Sequence, residues 1–182
     1  MAGLHWRKPF LAAVLTIALT PALAQEPAGI DCVANSDDRE LASDLVDESL
    51  AGNDLATMAE GLQQRLAVQE RICMESSGVP YSISGGYFTA NIGYMMAEEK
   101  RRRLIAAGLD MTATETLLTL RREDSALDVS DYIDARPDEF ARPMETLSDQ
   151  NGIGADTLMI LVGGYLGMRL LQDQGRQEMA ER

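Results

Sequence analysis

Histidine and tryptophan each occur once among the 182 residues, and both fall within the first six positions, as His5 and Trp6. Lysine is almost as scarce: Lys8 and Lys100 are the only two. Each absence excludes a chemistry. Beyond Trp6, neither a Ser-His-Asp triad nor a Cys-His nucleophile can be assembled. A phosphate loop of the G-x-x-x-x-G-K-[ST] form is missing too, because Lys100 lies in "EEKRRR". A His-containing zinc site is ruled out on the same ground, so neither a metal nor another cofactor is expected.

What is present begins with an address. The chain opens "MAGLHWRKPFLAAVLTIALTPALAQ", a short basic head, an apolar run from Phe10 to Leu19, and small residues at Ala22 and Ala24. This is the three-part pattern of a secretory signal, with cleavage expected after Ala24. The apolar run is too short for a membrane span, which needs about 20 residues. Residues 1–24 therefore read as a signal peptide and residues 25–182 as a single domain, periplasmic or secreted. The signal holds two basic and no acidic residues. The remainder then carries 14 basic against 29 acidic residues, a net charge of −15. So acidic a surface disfavours nucleic acid and anionic lipid. It favours a cationic partner, and a cationic protein of the cell envelope is the expected one.

The two cysteines, Cys32 and Cys73, would enter an oxidising compartment, where an even count implies a disulfide. Only one intramolecular pairing exists. It would close 41 residues and contribute roughly 4 kcal/mol in the chain-entropy treatment.

The remaining pattern is helical. Ser36, Asp37 and Asp38 open a first helix, with Leu41, Leu45, Val46 and Leu50 at helical spacing before "AGND". A second is expected from about Asp54 to Ser77, carrying Leu55, Met58, Leu62, Leu66 and Cys73 on one side and stopped by Gly78 and Pro80. Residues 76–97 contain no charge. Gly86, Ala90, Gly93 and Ala97 fall on one face of a third helix, which turns polar through "EEKRRR" and ends at Gly108. There Glu98 with Arg102 and Glu99 with Arg103 have the spacing of helical ion pairs on a solvated face. "TATE" from Thr112 to Glu115 has the form of a capping box. Residues 123–152 are acidic and interrupted by Pro137 and Pro143, so short helices and loops are expected. "DQNG" at 149–152 does not make a calcium loop, since Leu147 and Leu158 would occupy its first and twelfth positions.

The last long element, "DTLMILVGGYLGMRLLQDQG", holds Gly163, Gly164 and Gly167 inside an uncharged run of 12 residues. Each interior glycine costs about 1 kcal/mol relative to alanine. Close packing against the Gly86–Ala97 face would offset that. The methionines read as core filling by their helical spacing.

One carboxylate stands out. "ES" at Glu75–Ser76, followed by Pro80 and Ser84, resembles the start of the lytic transglycosylase family of lysozyme-like enzymes. The resemblance covers about 25 residues and implies that Glu75 would be an acid/base for cutting peptidoglycan glycan strands. The family's Gly-Leu-Met-Gln appears only as "GYMM" at 93–96, and its Ala-Tyr-Asn-Ala-Gly stretch has no counterpart. The alternative reading of Glu75 is a carboxylate in the last turn of a helix, and the composition favours it.

These readings converge on an all-α domain of about five to seven helices, stapled by one disulfide. The expected function is noncatalytic: an inhibitor, an immunity-like factor or an envelope adaptor with an acidic binding surface. Glycan cleavage by Glu75 is the first alternative. A small-ligand pocket between the glycine-bearing helices, gated by Tyr87 and Tyr165, is the second.

Overall fold

The computed structural model describes residues 36–52, 67–68, 71–76 and 84–181. The expected signal peptide, Cys32 and most of the second expected helix lie outside them. All regular structure in the described residues is helical, and none is strand. Six helices have defined bounds: α1 Ser36–Leu50, α2 Ser84–Ala106, α3 Thr112–Glu123, α4 Val129–Asp134, α5 Ala141–Asn151 and α6 Ala155–Ala180. Residues 67–68 and 71–76 are also helical. No helix among the described residues is long and apolar enough to cross a membrane.

The fold is organised by one helix pair. α2 and α6 make the most extensive contact, and α1, α3 and α5 pack around them. The two run antiparallel: Gly86 faces Gly175, Gly93 faces Met168 and Gln172, and Lys100 faces Gly164. A Cβ built on Gly93 would lie 2.5 Å from the Gln172 amide nitrogen and 2.6 Å from the Met168 carbonyl oxygen. One on Gly86 would lie 2.8 Å from the Gly175 carbonyl oxygen. Gly175 in turn meets the backbone of Ala90 and Gly86. Backbone touches backbone, so no side chain fits. Ala90 and Ala97 on the same face of α2 are fully buried.

The partner glycines differ from those expected. Gly163 and Gly167 have nothing within 4 Å of a Cβ position, and Gly163 is exposed. They lie on the side of α6 turned away from α2. Gly175 takes the role instead, because α6 continues through it to Ala180 and brings its C-terminal half against the start of α2. Where these backbones touch, at Gly86, Ala90, Gly93 and Gly175, no ligand fits between the helices. Tyr87 and Tyr165, expected as gates, are core residues, at 0% and 1% exposure.

Around the pair, α1 buries Leu41, Ala42, Leu45 and Val46. Six methionines among the described residues, from Met74 to Met179, are core residues. Glycines with positive φ end α1 at Gly52, α2 at Gly108 and α5 at Gly152, where a side chain would strain the backbone. At α3 the capping box does not form. Thr112 is the first helical residue, and its N–H and hydroxyl both donate to Asp110 Oδ1, at 2.9 and 2.7 Å. Asp110, two residues earlier, thus does the work expected of Thr112.

Candidate functional site

Polar chemistry collects at two places: along the α2–α6 seam, and across the connection from α3 to α6. In the seam, "EEKRRR" is more buried than its composition suggests. Glu99 is only 5% exposed and accepts from both Arg102 (2.6 and 2.8 Å) and Arg103 (2.6 Å). Burial works to raise its pKa, but the two guanidinium groups outweigh that and hold the carboxyl below the usual range. Arg103 then reaches α1, donating to Asp47 at 2.5 Å and to the Ser43 carbonyl and hydroxyl. Glu98 departs from the expected pairing. Its partner is Arg169 of α6, not Arg102, because Glu98 points across the seam.

Lys100 is the unusual member. It is 3% exposed, its Nζ donates to Ser49 Oγ at 3.1 Å, and no carboxylate lies within ion-pair distance among the described residues. Burial, reinforced by the positive charge of Arg103, lowers its pKa from 10.5 to about 8. Its side chain crosses α6 directly over Gly164, whose Cβ position would lie 2.8 Å from Nζ. Gly164 is needed for a lysine, not for another backbone. A signal for this does exist in the sequence: Gly86, Gly93 and Lys100 recur every seven residues, the spacing of a helix–helix seam.

Beside the seam, Tyr165 donates to Glu115 Oε1 at 2.6 Å. Burial raises the phenol pKa, as does the bond to Glu115, so it remains a protonated donor. Arg169 donates to the Tyr165 oxygen (3.4 Å) and to Gln172 Oε1 (3.0 Å). Glu115 therefore has a fixed orientation at the edge of an open cleft of about 480 Å³. Arg101, Asp110, Met111, Thr112, Thr116 and Thr119 line the rest of it.

The second place is residues 123–156, spanning α4, α5 and their flanks. They carry ten acidic residues and two arginines, and all ten acids are exposed. Neither arginine is idle. Arg136 stacks 3.7 Å over the Tyr132 ring, and Arg142 pairs with Asp138 at 2.8 Å.

Of the other expected site residues, Glu75 is exposed in a helical stretch, with Ser76 Oγ donating to the Cys73 carbonyl at 3.0 Å. The stretch after it, residues 77–83, lies outside the described residues. Cys73 is 4% exposed. Among the described residues no group of three or more His, Cys, Asp or Glu side chains is placed to hold a metal ion. No protein-family model, curated protein or solved structure matches this chain.

Proposed function

We propose that this is an exported, noncatalytic interaction protein of the cell envelope, such as an inhibitor, an immunity-like factor or an adaptor, which receives a cationic protein on the surface of residues 123–156. The carrying observation is the charge there: ten exposed carboxylates against two arginines that already have partners. A surface of one sign raises the encounter rate with an oppositely charged partner and fixes its orientation. In this reading residues 1–24 are removed on export, and Cys32 pairs with Cys73. Burial of Cys73 and the absence of free cysteines among the described residues support that pairing.

The test starts from a pull-down with the processed protein in an envelope extract. Binding of the captured partner should weaken as salt rises, because exposed charges are screened beyond about 8 Å at physiological ionic strength. Replacing Asp131, Asp134, Asp138 and Glu139 by their amides should abolish capture. Glu75→Gln should leave it unchanged. Capture that survives the amide replacements would defeat the proposal, and peptidoglycan cleavage lost in Glu75→Gln would replace it with an enzyme.

A further inference from the structure

The cleft at the α2–α3 junction has unused binding capacity of both signs. Arg101 makes one loose contact, Nε to Glu115 Oε1 at 3.6 Å, and forms no hydrogen bond among the described residues. Its guanidinium can present up to five N–H donors. The hydroxyls around it have no protons to offer: Thr112 donates to Asp110, Thr116 to the Thr112 carbonyl, and Thr119 to the Glu115 carbonyl. They remain acceptors. Asp110 takes both of its bonds on Oδ1, and Glu115 takes the bond from Tyr165 and the loose contact from Arg101 on Oε1. One oxygen of each carboxylate is left over.

A ligand for such a cleft needs a carboxylate for Arg101 and ammonium groups for Asp110 and Glu115. One arginine and two carboxylates leave a local charge of −1, which a ligand of charge +1 would neutralise. Between its charged ends it needs an aliphatic stem to lie on Met111 and the threonine methyls. The cleft is shallow and open to solvent, so a ligand held there keeps part of its surface in water and binds weakly. The geometry points to this cleft as a binding site for a basic amino acid, one carboxylate with two ammonium groups. Bound there, the ligand replaces the loose Arg101–Glu115 pair with separate charge-assisted hydrogen bonds. Glu115 is prepared for this: Tyr165, itself 1% exposed, fixes the carboxylate before the ligand arrives. The site is independent of the acidic surface on residues 123–156.

The test is an NMR titration of the ¹⁵N-labelled processed protein with three probes: L-lysine, 1,5-diaminopentane, which lacks the carboxylate, and norleucine, which lacks the second ammonium. L-lysine should bind most tightly and shift the amides of Arg101 and residues 110–119. Arg101→Gln should weaken L-lysine by about 10- to 100-fold, the loss expected for a charged hydrogen-bonding partner. It should not weaken diaminopentane. Glu115→Gln, which keeps an acceptor for Tyr165, should weaken L-lysine and diaminopentane and leave norleucine alone. Arg101 is half-exposed, and circular dichroism will show that its variant is folded. Absence of saturable shifts with L-lysine into the millimolar range would overturn the site. So would equal affinity for all three probes. L-lysine binding lost on neutralising Asp131 and Asp134, but not in Arg101→Gln, would place the ligand on the acidic surface and end the proposal.

Discussion

The α2–α6 seam and the acidic segment of residues 123–156 treat charge in opposite ways. In the seam, Glu98, Glu99, Arg102, Arg103 and Arg169 all have carboxylate or guanidinium partners, and several are half-buried or buried. In the segment, ten carboxylates face solvent with two arginines among them. The first arrangement is saturated. Adding a partner there would break existing bonds, whereas the second has capacity left for one. The difference teaches where to look for structure and where for recognition. Paired charges and touching backbones hold the helices in register, and an excess of surface charge of one sign remains for another molecule.

The seam gives the largest effects. Gly93→Leu and Gly175→Leu each force a side chain into neighbouring backbone, and should destabilise by about 3 kcal/mol or more. Gly163→Ala and Gly167→Ala are the controls on the same helix pair. Their Cβ positions are open, so each should stabilise by up to about 1 kcal/mol through helix propensity. Thermal or urea unfolding measures all four. Equal loss in both sets would mean that the close contact is not where the geometry puts it.

How much of this contrast can be read in the sequence depends on which distances matter. Helix existence follows from local periodicity, and the ends at Gly52, Gly108 and Gly152 follow from glycines that interrupt it. The small-residue face of α2 is likewise a local pattern. Its partner is not. α6 contains four glycines, and choosing among them requires the register of an antiparallel pair, which no local pattern contains. Gly163, Gly164 and Gly167 sit in the most apolar stretch, yet the backbone contact falls on Gly175, among glutamines and charges. The same limit applies to Glu98. Arg102, four residues along, is visible in the sequence, whereas Arg169 becomes its neighbour only through the fold. The candidate cleft was hidden for a further reason: Arg101 and Glu115 come from different helices, and only the turn at Gly108 brings them together.

Lys100 is the exception to saturation in the seam, and it gives the next largest effect. Its folded pKa is about 8, against 10.5 when solvated. Between these values the unfolded chain binds more protons, so stability rises with pH through that window. Below pH 8 both states are protonated, and the burial penalty, up to about 3 kcal/mol, is fully present. Lys100→Met removes the charge and keeps an unbranched stem. It should raise stability at pH 7 by about 1–3 kcal/mol and flatten the rise between pH 8 and 10.5. A variant that is less stable at pH 7 would show that the bond to Ser49 outweighs burial of the charge.

The acidic segment gives the smallest effect on stability. Its carboxylates are exposed, and exposed substitutions usually change stability by less than about 0.5 kcal/mol. Neutralising Asp131, Asp134, Asp138 and Glu139 together removes four like charges from one region and two exposed pairs, Arg142–Asp138 and Arg136–Glu139. Relief of repulsion and loss of those pairs act in opposite directions, so the melting temperature should move by only a few degrees at low salt. In high salt even that shift should vanish, because screening removes the repulsion and weakens the pairs alike. The measurement that sharpens the comparison is partner capture, made on the same samples. A variant that melts like its parent and captures nothing would separate recognition from folding along this segment. A large drop in melting temperature would instead tie these carboxylates to the fold, and they would then belong with the seam.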